Sequence, residues 1–459
     1  RRCLKTARWN CAAALPAWPG LHPRMLAGHS GVTSVRTVKS SSSPKQQQGD
    51  RLKDWYPYYA GFTQQFVQSA LDTHFVGASS VLDPWNGSGT TTAVCALRSV
   101  RCTGLDVNPA ATIIARARLT PRNISDSLLP LSLEIMRAAE EPPPRRAAEP
   151  LSEWLRTPAI RQLRGIQHGI HRVLVGDMVL ESDLAADPSA SASQLPVLAT
   201  FFYASLFATA RDVLRPFRGS NPTWCKSPPT HRHRINPSAA TIRDLFVGRV
   251  KFLAERLCLT SELAASWADV ATRSVLDLDS KGTYDACLSS PPYATRVDYV
   301  RSTAAELAVL GLDSDQVYSL RSATTGTPTV RGSVRHLRQL RSRSANQLLS
   351  EVAAHPSHGS VNYYAPWLRK YVTDLEDALL TIHQAVRTGG RIGIVVQNSY
   401  YKHIEIDLQR IVCESLTDLG RRPADRADYP VPHSMTNINS AARRNLEGRQ
   451  HQESLLVFT

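Results

Sequence analysis

A short apolar run, a loop with two glycines and a helix-forming stretch follow one another in residues 81–92, which read VLDPWNGSGTTT. Asp83 closes the apolar run, and the glycines are Gly87 and Gly89. Glycine lets a backbone approach a ligand closely or adopt a positive φ, so this order predicts a strand, a ligand-binding turn and a helix. The loop lacks the Gly-Lys-Ser/Thr of a Walker phosphate loop. Such a unit is typical of an α/β fold.

A second short strand follows and ends in an acid. Residues 101–109 read RCTGLDVNP, with Asp106 at the tip of the strand. A carboxylate in this place is the usual partner of ribose hydroxyls in a nucleotide-binding α/β unit. The alternative is a helix N-cap, in which Asp106 or Asn108 caps the alanine-rich stretch from Ala110 to Leu119.

The tetrad Ser290-Pro291-Pro292-Tyr293 follows a segment, Tyr284 to Leu288, that is typical of the end of a buried strand. Two prolines make the turn rigid and aim a backbone carbonyl outward. An enzyme that holds an exocyclic amine flat against an aromatic ring needs such a turn, so the tetrad points to methylation of an amino group on a nucleobase. The alternative is an ordinary turn, because Pro-Pro is common in loops.

Together these elements resemble the amino-methyltransferase branch of the S-adenosyl-L-methionine-dependent methyltransferases, in particular the DNA N4-cytosine methyltransferases. The resemblance covers roughly residues 51–119 and 270–459. The family loop DPxxGSGT stands here as DPWNGSGT. By this resemblance the residues that bind the cofactor are Asp83, Pro84, Trp85, Gly87, Ser88, Gly89, Thr90 and Asp106.

An N-terminal cofactor motif of the same family matches residues 55–62, which read WYPYYAGF. The resemblance implies that Tyr58 and Phe62 lie near the methionine part of the cofactor. The alternative is a hydrophobic lead-in that packs on the first helix. A third family motif, an acid near the adenine, is not assigned: Asp269, Asp277 and Asp279 lie within reach, and residues 271–274 stand where many relatives carry an Asp.

The resemblance also implies a chemistry for the tetrad. The Ser290 side chain and the Pro291 carbonyl hydrogen-bond the amine, and Tyr293 stacks on a base flipped out of double-stranded DNA. Methyl transfer is direct, so no cysteine nucleophile is required; this separates the prediction from cytosine-C5 methylation, whose Pro-Cys context is absent. Adenine-N6 methylation of DNA is the nearest alternative, followed by an RNA base methyltransferase. A DNA-binding relative without activity is disfavoured by the intact motifs.

The composition fits an enzyme that acts on nucleic acid. A formal net charge of +15 favours a polyanionic partner, because phosphate contacts release counterions, although solvated arginines also produce such a charge. The eight cysteines include no CxxC pair, which predicts reduced thiols rather than a metal site or disulfides. No apolar run approaches the roughly 18 residues of a membrane span. We expect a cytoplasmic, nucleoid-associated enzyme, with a cognate restriction endonuclease as a further partner.

The expected fold class is α/β: a Rossmann-like methyltransferase fold with a mostly parallel, doubly wound sheet and a largely helical insertion. Residues 1–50 form a disordered or non-native leader, 51–120 the cofactor-binding part, 121–265 the insertion and 266–459 the catalytic part. Helices are expected at Ala199–Leu214 and Ala239–Leu257. The strands are expected at Ser80–Leu82, Thr103–Leu105, Asp285–Leu288, Ile392–Val396 and, as an edge strand, Leu455–Phe458.

Several basic and aromatic residues outside the motifs are candidates for contacts to DNA. The insertion carries Trp224 in a turn beside basic residues, where it stacks on a base or anchors the loop on the core. A basic segment places Arg335, Arg338 and Arg341 at helical spacing, which suits phosphate contacts or a solvated helix face. The remaining candidates are Arg296, Asp298 and Tyr299 after the tetrad, and Tyr400 and Lys402 after the late strand.

Overall fold

A mixed sheet of eight strands organises the part of the chain that the structure, a computed structural model, describes. That part comprises residues 35–37, 44, 55–58, 61–140, 148–176, 186–219, 224–258, 265–295, 297–327, 339–431 and 451–459. In chain order the strands are β1 (Val35–Thr37), β2 (Ser80–Asp83), β3 (Arg101–Asp106), β4 (Ala268–Thr272), β5 (Tyr284–Ser289), β6 (Val386–Gln397), β7 (Ser399–Tyr401), β8 (Ile404–Ile406), β9 (Pro423–Pro430) and β10 (Gln452–Phe458). Strands β7 and β8 form a separate hairpin.

The helices follow the same chain order. They are α1 (Gln64–His74), α2 (Thr90–Leu97), α3 (Pro109–Ala117), α4 (Ser125–Ala138), α5 (Thr157–Ile170), α6 (Pro188–Gln194), α7 (Val197–Val213), α8 (Ala239–Cys258), α9 (Ala304–Leu310), α10 (Ser314–Ala323), α11 (Arg343–Ala354), α12 (Ala365–Ala385) and α13 (Leu408–Asp418). Short 3-10 turns lie at Arg122–Ile124, Pro150–Glu153, Arg215–Phe217, His231–His233, Ala265–Trp267, Val275–Asp277 and Arg301–Thr303, and π-helical turns at His171–Val175 and Ser360–Tyr364.

The sheet is parallel over most of its width. Its strand order is β1-β9-β10-β6-β5-β2-β3-β4, and the five strands from β6 to β4 all run parallel. Strand β10 runs antiparallel between β6 and β9, so the prediction of an edge strand at Leu455–Phe458 was wrong. These residues are all buried, as expected for a strand whose two sides are both paired and whose two faces are both covered.

Helices cover both faces of the sheet, as the prediction of a doubly wound fold requires. Neighbouring residues of one strand alternate between the two faces. Leu82 and Leu456 pack with the helices α11 to α13, whereas Val81 and Leu455 pack with α1 and α2. The prediction of an α/β, Rossmann-like fold is therefore confirmed.

The region between β3 and β4 is helical in its described parts, and the two predicted helices are confirmed as α7 and α8. Helix α7 is buried along nearly all of its length. It shares one hydrophobic core with Ile113 and Ile114 of α3 and with Leu307 of α9. The helical region is thus packed onto the cofactor-binding half of the sheet.

Two sites within residues 1–50 contact the sheet domain. Strand β1 pairs in parallel with β9, and the Pro44 carbonyl accepts a hydrogen bond from the Thr63 backbone N–H at 2.9 Å. Parts of the predicted leader are therefore joined to the fold. Among the described helices, none is both long and apolar enough to cross a membrane.

Candidate active site

The glycine loop and the proline tetrad meet at the carboxyl ends of two adjacent parallel strands. Strand order reverses between β2 and β5, and in open α/β sheets ligands bind at such a switch point. The Ser289 hydroxyl at the end of β5 donates to the Asp83 carboxylate at the end of β2. The Trp85 N–H lies 3.2 Å from the same hydroxyl oxygen. Two motifs separated by about two hundred residues in sequence thus form one site.

A cavity of about 270 Å³ opens at this point. It is lined by most of the residues predicted to bind the cofactor and by the whole tetrad. Those residues are Tyr58, Phe62, Asp83, Pro84, Trp85, Gly87, Ser88, Thr90, Asp106, Ser290, Pro291, Pro292 and Tyr293.

Glycine is required at the two loop positions for different local reasons. Both have a positive φ, +51° at Gly87 and +81° at Gly89. A Cβ at Gly87 would stand 3.1 Å from the Tyr58 ring at the cavity wall. A Cβ at Gly89 would stand 2.6 Å from the Ala115 Cβ on α3, so a glycine here lets α2 start against α3; Gly89 itself is not among the residues that line the cavity.

Gly89→Ala therefore combines backbone strain with a steric clash, and Gly77→Ala supplies a matched control. Gly77 has a similar φ of +77°, but nothing lies within 4 Å of a Cβ there. We expect Gly77→Ala to cost about 1–2 kcal/mol in free energy of unfolding from φ alone. Gly89→Ala should cost about 1–3 kcal/mol more, because overpacking adds to the strain. Denaturant unfolding of both variants measures the difference, and equal losses would contradict the packing role.

Asp106 fixes the glycine loop and also faces the cavity. Its carboxylate accepts from the Gly87 N–H at 2.9 Å and from the Asn108 N–H at 2.8 Å. Asn108, not Asp106, is the N-cap of α3, and its side chain accepts from the Ala110 N–H at 3.0 Å. Burial raises the pKa of Asp106 to about 6, against the lowering effect of the two backbone hydrogen bonds. Burial likewise raises the pKa of Asp83 to about 6.

The tetrad is held by one internal hydrogen bond and by hydrogen bonds to two other elements. The Ser290 hydroxyl donates to the Tyr293 hydroxyl oxygen at 3.3 Å, and the Tyr293 hydroxyl donates to Glu453 at the start of β10. The Tyr371 hydroxyl of α12 donates to the Pro292 carbonyl at 2.8 Å. Tyr293 is buried, and burial raises the pKa of its hydroxyl well above the usual value. The turn is therefore anchored on both the sheet and a helix.

Asp298 and Tyr299, which follow the tetrad, make different contacts. The Tyr299 hydroxyl accepts from the Tyr293 N–H at 3.3 Å, and Tyr299 also lines the cavity. The Asp298 carboxylate is buried and pairs with Arg321 of α10 at 2.6 Å. Asp298 thus holds the loop, whereas Tyr299 both orders the tetrad and faces the cavity.

The loop after β4 lines the cavity without an acid. Asp269, Asp277 and Asp279 are not among the lining residues, and the wall at this end consists of Ser274, Val275 and Leu276. The Ser274 hydroxyl accepts from the Leu276 N–H at 3.2 Å and begins a short 3-10 turn. None of the three aspartates considered for the acidic third motif lines this cavity, and the motif stays unassigned.

Other cavity residues have no motif in the sequence that would have identified them. Lys370 and Asp374 lie four residues apart on α12, and their side chains form an ion pair. Burial raises the pKa of Asp374, and Lys370 opposes this shift. Glu453 reaches the same cavity from β10. The i, i+4 spacing of Lys370 and Asp374 is the one local signal in the sequence that they form a pair. Such spacing is equally typical of an ion pair on the protein surface.

The described structure does not bring the residues predicted to contact DNA together at one site. Arg296, Arg335 and Arg338 lie outside the described residues. Trp224 is half-buried under the Arg301 guanidinium, which lies 5.5 Å from its ring centroid, so of the two alternatives this environment favours a loop anchor over an exposed aromatic. Lys402 is exposed at the turn of the β7–β8 hairpin and does not line the cavity.

Arg341 departs from the helical face expected for the basic segment. It precedes α11, and its guanidinium pairs with Asp418 at 3.0 Å. No group of three or more potential metal ligands occurs among the residues that the structure describes.

Comparison with known proteins relates the chain to methyltransferases. No family model matches it. The type II methyltransferase M.BsoBI of Geobacillus stearothermophilus is 22% identical over 435 residues, which cover 85% of this chain and 82% of that protein. The type II methyltransferase M.MjaII of Methanocaldococcus jannaschii is 30% identical over 86 residues, 19% of this chain and 16% of that protein.

A solved structure of a 16S rRNA (adenine(1408)-N(1))-methyltransferase from Catenulisporales acidiphilia is 14% identical and covers 46% of this chain and 69% of its own. The TM-score between the two structures is 0.19. Over most of its length the chain is similar to one type II methyltransferase, and over a short stretch it is similar to a second.

Proposed function

We propose that this protein is a DNA methyltransferase that transfers a methyl group from S-adenosyl-L-methionine to the N4 amine of cytosine. The observation that carries the proposal is the single cavity that contains the glycine loop, Asp106 and the Ser290–Tyr293 tetrad. The similarity to a type II methyltransferase over 85% of the chain supports it. The positive net charge of +15 suits duplex DNA, and a paired restriction endonuclease belongs to the same proposal.

The charges in the cavity fit a cationic cofactor. The lining includes Asp83, Asp106 and Asp374 against the one ammonium group of Lys370 among the described lining residues, while the Glu453 carboxylate is bonded to Tyr293 at the tetrad end. When bound, S-adenosyl-L-methionine supplies a methyl group on a positively charged sulfonium. Asp106 keeps acceptor capacity for hydroxyl groups, because each of its oxygens receives one of the two backbone hydrogen bonds. Leu276 adds an apolar wall at the same end.

The other end of the cavity suits an exocyclic amine beside a flat ring. In the described residues nothing donates to the Pro291 carbonyl, whereas the Pro292 carbonyl is occupied by Tyr371. The Pro291 carbonyl and the Ser290 oxygen are therefore available as acceptors for an amine. The Tyr293 ring supplies a stacking surface, and the base must leave the duplex to reach it. Positioning of the amine is then the main contribution of the protein to the rate.

We propose that Lys370 selects cytosine over adenine. Beside its amine, cytosine presents two acceptors, N3 and O2, whereas adenine presents N1 and a C–H. The Lys370 ammonium is a donor at the cavity wall, and Asp374 holds it. A site built to donate to O2 rejects a base that lacks this acceptor.

We expect Lys370→Met to lower kcat/KM for DNA by about 10- to 150-fold, because a hydrogen bond to a charged group contributes about 1.5–3 kcal/mol. Lys281→Met, which removes an exposed lysine outside the cavity, should leave kcat/KM unchanged. Steady-state methylation of a defined duplex measures both values. Unchanged kcat/KM in Lys370→Met would remove Lys370 from base recognition.

Nucleoside analysis of cellular DNA tests the substrate. DNA from cells that lack their own methylases and express this protein is digested and analysed by mass spectrometry. We expect N4-methylcytosine among the nucleosides of this DNA. N6-methyladenine in its place would assign the same tetrad to adenine, the second candidate, while retaining the cofactor end of the site.

A further inference from the structure

A chain of three hydrogen-bonded side chains crosses the cavity from the tetrad to the last strand. The Ser290 hydroxyl donates to the Tyr293 hydroxyl oxygen at 3.3 Å, and the Tyr293 hydroxyl donates to the Glu453 carboxylate. Glu453 is 1% exposed and Tyr293 8% exposed. All three line the cavity. The chain joins the loop after β5 to the amino end of β10, 160 residues away in sequence.

The carboxylate sets the direction of this chain. An ionised carboxylate accepts hydrogen bonds and cannot donate, so the Tyr293 proton must point toward Glu453. The lone pairs of the Tyr293 oxygen then face Ser290, and they accept the Ser290 proton. With its own proton committed, Ser290 can offer only lone pairs to a substrate. The orientation therefore makes Ser290 an acceptor for an amine N–H.

We propose that Glu453 is a positioning residue for amine methylation: it orients the Ser290–Tyr293 pair and receives, through that pair, the proton that the amine releases. This inference rests on the proposed function. As the nitrogen–methyl bond forms and the sulfonium–methyl bond breaks, the amine gives a proton to the Ser290 oxygen. Ser290 passes its own proton to Tyr293, and Tyr293 passes its proton to Glu453. The products are the neutral, N-methylated amine of the base, the thioether left by the sulfonium, and the protonated carboxyl of Glu453. The carboxyl afterwards releases its proton to water.

The variants Glu453→Gln and Tyr293→Phe test the chain separately. The amide oxygen introduced by Glu453→Gln can still accept from Tyr293 but cannot take up the proton. The ring introduced by Tyr293→Phe can still stack but carries no hydroxyl. We expect either variant to lower kcat by about 100-fold or more, as for the loss of a general base. The double variant should lose no more than the worse single one, because both changes interrupt one path.

The readouts separate this role from a structural one. Calorimetric affinity for S-adenosyl-L-methionine, KM for DNA and base flipping, reported by 2-aminopurine fluorescence at the target position, should stay near wild type in both variants. Glu376→Gln is the control, since it neutralises a fully buried carboxylate on α12 that lies outside the cavity. It should keep the wild-type kcat.

Wild-type kcat in Glu453→Gln, or losses that multiply in the double variant, would overturn the proposal. If Glu453→Gln does not fold, Tyr293→Phe decides: a wild-type kcat there overturns the relay, and a loss of kcat with base flipping retained supports it. Failure of the proposed function gives a different result, because the wild-type protein itself would then methylate no nucleic acid.

Discussion

We expect Tyr293→Ala to abolish detectable methyl transfer but to leave the affinity for S-adenosyl-L-methionine near that of wild type. The ring is the stacking surface at the base end of the cavity, and base–aromatic stacking contributes about 1–3 kcal/mol. The change also removes the hydrogen-bonding partner that Ser290 and Glu453 share. The glycine loop at the cofactor end is held by Asp106, whose carboxylate accepts from the Gly87 N–H.

Single-turnover rates and calorimetry on the same preparation measure the two effects. Tyr318→Ala, which removes a partly exposed tyrosine on α10 outside the cavity, serves as the control and should match wild type in both. A Tyr293→Ala protein that methylates DNA at the wild-type rate would show that the tetrad is not the active site.

We expect Asp106→Asn to weaken cofactor binding most above pH 6, where Asp106 is ionised, and to have little effect in acid. The pKa of Asp106 is raised to about 6, so the carboxylate is ionised above pH 6 and becomes protonated as the pH falls through that value. Hydrogen bonds to a charged acceptor contribute about 1.5–3 kcal/mol. At pH 8 we therefore expect the variant to bind S-adenosyl-L-methionine about 10- to 150-fold more weakly than wild type.

The pH dependence distinguishes this role from a general loss of structure. As the pH falls from 7 to 5, the ratio of wild-type affinity to Asp106→Asn affinity should fall toward one; the pKa of Asp83 is also raised to about 6, but Asp83 titrates in both proteins and its effect cancels in this ratio. Asp269→Asn, in β4 and outside the cavity, should follow the wild-type curve. A constant ratio between wild type and Asp106→Asn across this range would contradict ribose binding by the ionised Asp106.

Much of the sheet could be predicted from local apolar runs, and the errors have physical causes. The run Leu455–Phe458 is wholly apolar, which is typical of a central strand covered on both faces; its place at the end of the chain suggested an edge instead. Strand β9 reads PADRADYP, with charges and prolines that local propensity assigns to a loop. Its pairing with β10 and β1 is a long-range property.

The residues of the cavity likewise divide into those that belong to a local sequence motif and those that long-range packing brings in. Asp83, Asp106 and Ser290 lie in motifs with a fixed local order, and each lines the cavity. Glu453 and Lys370 come from elements that reach the cavity only through the sheet order and the packing of α12. No periodicity in either segment distinguishes them from ordinary polar positions. Long-range contacts of this kind require the fold before they can be recognised.

Transfer of a labelled methyl group by the purified protein tests the central claim most directly. Duplex DNA is incubated with S-adenosyl-L-methionine carrying a tritiated methyl group, and the nucleosides are then separated. We expect label in N4-methylcytosine with the wild-type protein and only background label with Ser290→Ala. Unlabelled DNA after incubation with folded wild-type protein, or equal labelling by Ser290→Ala, would contradict it.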